Sequence, residues 1–140
     1  MCIRDRKSDG VIKTLSQMDY IFTPVSADRF VVESALQFVM MFNDNLVTTG
    51  LAKTKGMSLF WTMVDGRERT ELYDLYGELF AENNFHVLDT RLPDSKRFRR
   101  EPSDDRKSVF RSTILPPDTA MLRGSRIREL SEEICSIING

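Results

Sequence analysis

Three polar segments hold the residues whose types and spacing best suit ligand binding: residues 24–28, 62–69 and 93–97. Each follows an apolar run that is typical of a buried strand. In open α/β sheets, ligands bind in the crevice beyond the carboxyl ends of the strands, which is where these segments would lie. Polar, turn-rich positions of this kind often carry function. The alternative is that their proline, aspartate and glycine residues only form turns.

Patterns for catalysis or metal binding are missing from the sequence. His86 has no acidic or cysteine partner at a catalytic spacing, so we expect a structural role for it. Ser108 and Ser112 lie outside any Gly-x-Ser-x-Gly motif, which argues against a hydrolase triad. Cys2 and Cys135 have neither CxxC nor Cys/His spacing, which argues against a zinc site or a disulfide framework. We therefore predict no catalytic and no metal-ligating residue.

The elements that must position these segments alternate between helix and strand. The pattern predicts a helix tail over 11–18, strands over 20–25, 57–64 and 85–90, a helix over 27–46 capped by Ser26, a helix capped by Thr70, a strand or extended segment over 109–115, and a final helix over 127–138. The run over 57–64 does not alternate, as expected of a strand covered on both faces. This order predicts an α/β fold with a partial parallel sheet flanked by helices.

Composition indicates one cytoplasmic domain. The chain has 140 residues, 41 % of them hydrophobic, which is enough for a core. The longest apolar run, 30–41, is interrupted by polar residues and falls short of the roughly 20 residues of a membrane span. No export signal opens the chain. Residues 1–6 are expected to be a non-native leader, which leaves residues 7–140 as the domain.

Three segments in order carry a family resemblance: residues 19–30 with Glu33 soon after, residues 60–67, and residues 92–98. They resemble ParA/MinD-type ATPases, the deviant Walker group of P-loop NTPases, and are most similar to the ParA-like proteins of Bacteroides-type conjugative transposons. The resemblance implies that residues 7–140 form the C-terminal portion of such an ATPase, without the half that holds the phosphate loop.

The resemblance also implies where a nucleotide would bind. In the family, the base of ATP is held by the ends of the last two strands, which correspond here to Thr62, Asp65, Pro93 and Asp94. A purine edge suits one donor and one acceptor on rigid strand ends, with apolar surface against its face. Thr62 stands where the family often has asparagine, and its shorter side chain reaches less far. Asp65 is equally suited to forming a turn.

Phosphate binding is where the sequence departs from a complete ATPase. The loop G-x-x-x-x-G-K-[ST] cradles phosphates with backbone N–H groups and a lysine, and no glycine of this chain precedes a Lys-Ser or Lys-Thr pair. Residues 50–56 have the composition of such a loop but not its order. ATP and Mg²⁺ are therefore expected in the full-length parent, with no tight nucleotide binding by this chain alone.

A basic segment follows the last predicted strand: Lys96, Arg97, Arg99, Arg100, Arg106, Lys107 and Arg111. Surface cations in this half of ParA-like proteins bind DNA without sequence preference, through phosphate contacts. The alternative is a solvated loop with internal ion pairs, since acidic residues are interspersed.

Two hypotheses follow. In the first, the chain is part of a ParA-type ATPase for DNA partition or conjugative transfer, which forms an ATP-dependent homodimer and meets a ParB-like or conjugation partner, away from membranes. In the second, it is a stand-alone doubly wound α/β binding module without catalytic activity.

Overall fold

Three parallel strands form the centre of the protein in the computed structural model, which describes residues 10–67, 70–95 and 119–140. They are β1 (Tyr20–Val25), β2 (Gly56–Trp61) and β3 (His86–Val87), arranged in the order β1-β2-β3. Helices flank the sheet. The fold is therefore α/β with an all-parallel sheet, which confirms the predicted fold class. The predicted segment over 109–115 lies outside the described residues.

Helices connect and cover the strands. They are α1 (residues 10–15), α2 (Arg29–Phe42) with a π-helical turn (Asn43–Val47), α3 (Thr70–Glu82), α4 (Thr119–Ser125) and α5 (Ile127–Asn139). Within the described residues, none of the helices has the length and apolar character that crossing a membrane requires.

The predicted start of α2 at Ala27, with Ser26 as its cap, is wrong by two residues. Asp28 is the N-cap, and its Oδ1 accepts hydrogen bonds from the N–H groups of Phe30 (2.9 Å) and Val31 (3.2 Å). A carboxylate at this position satisfies two otherwise free donors and interacts favourably with the positive end of the helix dipole. The chain between β1 and α2 is therefore longer than predicted.

One face of the sheet packs against α2 and α3. Val25 of β1 and Trp61 of β2 are register partners on this face, and both are buried. The Trp61 ring meets the edge of Tyr73 at 5.0 Å, with Phe80 of the same helix 6.1 Å away. Val32 and Val39 complete the cluster from α2. Both strands thus bury apolar residues at every second position, as a covered face requires.

The opposite face packs against α5. Leu130 of α5 is buried together with Leu88 and Leu92, and Phe22 and Phe60 of the sheet pack against this cluster. Because α5 is amphipathic with a stripe of isoleucine and leucine, one side of it covers the sheet and the other meets water. The sheet is therefore covered on both faces.

Glu133 attaches α5 to the chain just after β3. Its carboxylate accepts hydrogen bonds from the N–H groups of Asp89 (2.6 Å) and Thr90 (2.9 Å). Partial burial alone would raise the pKa of Glu133, but the hydrogen bonds from Thr90 and Asp89 and the nearby His86 together lower it. The ionised form is thus the one that the fold stabilises.

Replacing Glu133 by glutamine tests this attachment. Since the folded-state pKa is lowered, the carboxylate stabilises the fold above its ordinary pKa near 4.5, and this contribution is lost as the pH falls through the lower folded value. We expect Glu133→Gln to reduce the free energy of unfolding by about 1 kcal/mol at neutral pH, measured by urea denaturation. The difference from the wild type should shrink towards pH 3 or so.

Glu132 supplies the matched control, because it is exposed on the same helix. Glu132→Gln should leave the stability unchanged across the same pH range. An equal loss in both variants would show that helix charge, and not the bonds to Asp89 and Thr90, explains the effect.

Candidate functional site

A cavity of about 360 Å³ opens at the carboxyl edge of the sheet. Its lining comprises Thr62, Met63, Leu92, Pro93, Asp94, Ser95 and Ile127. Three residues expected to contact a base, Thr62, Pro93 and Asp94, therefore meet around one space although 31 positions separate the first two. The fourth, Asp65, does not line it.

Backbone hydrogen bonds hold the two walls of this cavity. The Thr62 N–H donates to the Val25 carbonyl (2.9 Å), and the Leu92 N–H donates to the Trp61 carbonyl (2.8 Å). Val64 then pairs with the 92–94 segment on both sides, since its N–H donates to Leu92 (3.0 Å) and its carbonyl accepts from Asp94 (2.9 Å). Strand-like pairing thus continues beyond β2 and β3, which makes both walls rigid.

The chain leaves β2 through a left-handed residue, and this explains why the predicted strand over 57–64 ends early. Met63 has a φ of 55°, an uncommon value for a residue with a side chain. Its side chain lines the cavity and is 53 % exposed. Strand geometry stops at Trp61, and Val64 then forms only an isolated bridge with Pro93.

Asp65 forms a turn in this structure. Its Oδ1 accepts a hydrogen bond from the Arg67 N–H at 3.0 Å, the pattern of an aspartate that stabilises its own turn. The sequence left open whether Asp65 binds a ligand or forms a turn, and the contact observed is the turn-forming one.

Apolar surface dominates the cavity. Leu92 is buried, Ile127 is partly buried, and Met63 and Pro93 add further apolar atoms. The polar groups are the side chains of Thr62, Asp94 and Ser95. A few polar groups around a mostly apolar surface is the usual composition of a small-molecule pocket, in which shape supplies affinity and polar atoms set orientation.

Ile127 is the lining residue that sequence reasoning missed. The sequence places it correctly on the apolar stripe of the last helix, but helical periodicity does not reveal which strand that stripe covers. Docking of α5 beside Leu88 and Leu92 brings the start of the helix to the cavity. Its long-range position was therefore not available from local pattern.

Residues 24–28 contribute in another way. The Asp28 carboxylate caps α2, and the neighbouring Arg29 Nε donates to Glu33 at 2.8 Å. The hydrogen bond to the Glu33 carboxylate raises the pKa of Arg29. These charges serve the start of α2 and do not line the cavity.

Ser58, His86 and Glu133 form a small cluster on the face covered by α5. The Ser58 Oγ lies 3.4 Å from the His86 Nδ1, and the charge of His86 acts on Glu133. Ser58 is buried in the middle of β2, and Glu133 is held by backbone N–H groups. The cluster therefore lacks the exposed nucleophile that acyl transfer requires. Among the described residues, no group of His, Cys, Asp and Glu could hold a metal ion.

The candidate DNA-binding residues Lys96, Arg97, Arg99, Arg100, Arg106, Lys107 and Arg111 lie outside the described residues. Comparison with models of protein families, with curated proteins and with solved structures found no match to this chain.

Proposed function

We propose that this chain supplies the base-binding side of a ParA-type ATPase that acts in DNA partition or conjugative transfer. The observation that carries the proposal is the mostly apolar cavity at the carboxyl edge, where Thr62 meets the Pro93-Asp94 turn. These are the residues that the family resemblance assigns to the base. Their convergence depends on long-range pairing, which the resemblance itself did not use.

The size and chemistry of the cavity suit a purine. Its volume of about 360 Å³ lies at the lower end of the range for small-molecule pockets, as expected where only the base is enclosed. Apolar side chains suit the faces of a planar ring, and the Thr62 hydroxyl offers one donor and one acceptor to its edge. The triphosphate and Mg²⁺ need a phosphate loop, which this sequence does not contain.

Further parts of the proposal concern the parent ATPase. ATP would drive formation of a homodimer, and the basic segment over 96–111 would bind DNA without sequence preference. A ParB-like or conjugation protein would be its partner. These roles rest on the resemblance alone.

A stand-alone α/β binding module is the second candidate, and one observation favours it. Both faces of the sheet carry a hydrophobic cluster built from the described residues, as in a domain that folds by itself. Genomic sequence upstream discriminates between the two. A Lys-Gly-Gly-x-Gly-Lys-(Thr/Ser) loop in the same reading frame supports the ATPase, and a stop codon just before Lys7 supports the module.

Substitutions at Thr62 test the base site, with adenosine as the probe. Thr62→Asn should strengthen adenosine binding several-fold, because the amide reaches further and offers both a donor and an acceptor. Thr62→Val should weaken it by a similar factor, because the hydroxyl is lost. Isothermal titration calorimetry measures both. Thr54→Val, a matched change beyond the other end of β2, should bind like the wild type. Equal affinities for all four proteins would contradict the proposed site.

ATP turnover is a separate test. We expect the chain to release no phosphate from ATP above background, because it has no loop to stabilise the charge that develops on the transferred phosphoryl group. Magnesium-dependent phosphate release that coelutes with the protein in gel filtration would contradict this expectation.

The basic segment is tested by the triple change Arg97→Ala, Arg99→Ala and Arg100→Ala. DNA binding should weaken, and the slope of log affinity against log salt should fall by up to about three phosphate contacts. Fluorescence anisotropy at several salt concentrations measures the slope. The matched control removes three exposed cations elsewhere, Lys13, Arg123 and Arg128. An unchanged slope in the first variant would return the segment to a solvated surface loop.

A further inference from the structure

A second cavity lies at the opposite end of the sheet, where β2 and β3 begin. Its volume is about 230 Å³, and it lies beside the ends of α2 and α3. The polar residues that line it are Asn43, Thr54, Lys55, Asn83 and Asn84. Since Thr54 precedes β2 and Thr62 follows it, the length of β2 separates this cavity from the base site.

Thr54 is the residue that points to a ligand. It is 8 % exposed, and its Oγ1 is buried without a hydrogen-bond partner among the described residues. Buried hydroxyl groups are nearly always hydrogen-bonded, because removing them from water without a new bond is unfavourable. A polar molecule in the cavity that Thr54 lines would supply the bond.

The backbone at the end of α3 already has partners. Asn84 has a φ of 61°, and its N–H donates to the Ala81 carbonyl at 2.9 Å. The Phe85 N–H donates to the Phe80 carbonyl at 3.0 Å. These two bonds form a Schellman motif, which satisfies the last carbonyls of a helix.

The π-helical turn at the end of α2 is satisfied in the same manner. The Asn43 carbonyl accepts from the Thr48 N–H (3.0 Å), and the Leu46 carbonyl accepts from the Ala52 N–H (2.9 Å). Since backbone groups at both helix ends are bound, side chains determine which ligand the cavity accepts. π-Helical turns are also frequent at functional sites.

Charge then selects the class of ligand. Lys55 is the one ionisable residue in the described lining of this cavity. Its Nζ lies 3.6 Å from the Asp19 Oδ1, and both side chains are about two-thirds exposed (67 % and 66 %). Such exposed pairs are weak, so the ammonium group can pair with an anion instead. Together with the donors of three amides and a hydroxyl, it favours a carboxylate over a cation.

We propose that this amino-end cavity binds a small carboxylate, with Lys55 pairing with its charge and the Thr54 hydroxyl donating to one of its oxygens. The ligand is smaller than a nucleotide, because the cavity falls below the volume of ordinary small-molecule pockets. This site is independent of the base site, since the two share no lining residue.

Acetate is the probe, titrated into the whole chain and followed by ¹H–¹⁵N NMR. Saturable shifts of the Thr54, Lys55 and Asn84 amide signals are expected, with no such shifts on adding chloride at equal ionic strength. Absence of saturation with acetate, or equal shifts with chloride, would overturn the proposal.

Two variants separate binding from folding. Thr54→Val keeps the size of the side chain and should weaken acetate binding about tenfold or more, while the Tm without acetate stays equal or rises. Lys55→Gln, at an exposed position, should abolish saturable binding. Thr62→Val is the control and should bind acetate like the wild type. Unchanged acetate affinity in Thr54→Val, or a marked fall in its Tm, would overturn the proposal, since the hydroxyl would then have no role or an internal partner.

Discussion

The parallel pairing of β2 with a strand on each side is the constraint on which the rest of the structure depends. β2 aligns with β1 from Tyr20↔Gly56 to Val25↔Trp61, and with β3 at Ser58↔His86 and Leu59↔Val87. A shift of one residue would turn every side chain of β2 to the opposite face. Trp61 would then leave α2 and α3, and Phe60 would leave α5. The same register brings Thr62 level with the segment that carries Pro93 and Asp94.

Trp61 joins the core to the candidate site. Its ring packs against Tyr73 of α3, while its carbonyl accepts the Leu92 N–H at 2.8 Å. Arg91 strengthens the same junction, because its guanidinium lies 5.1 Å from the Tyr73 ring centre and 3.7 Å from the Asp74 carboxylate. Burial of the aromatic cluster therefore also fixes the wall of the cavity at the carboxyl edge. A ligand there would meet a surface that is already ordered, which lowers the entropy cost of binding.

The two ends of the sheet differ in chemistry because the chain reverses direction between strand and helix. At the carboxyl edge, strands end in short turns, and apolar side chains from both sides of the chain meet Ile127 of α5. At the other end, α2 and α3 terminate beside the start of β2, and such termini are rich in asparagine and threonine. An apolar cavity that suits a planar ring and a polar cavity that suits a small anion are consequences of this one topology.

Local pattern in the sequence determined which parts of the chain are strand or helix, and hence the α/β class. Buried runs such as 57–64 and the stripe of α5 report burial, which every residue expresses through its own polarity. The pattern missed what depends on contacts between distant segments. Asp28 caps α2 in place of Ser26, Glu133 binds the N–H groups of Asp89 and Thr90, and Ile127 reaches the cavity. Only the tertiary structure decided these, because strand register and the docking of α5 depend on the packing of the whole core, and no periodicity within one segment encodes them.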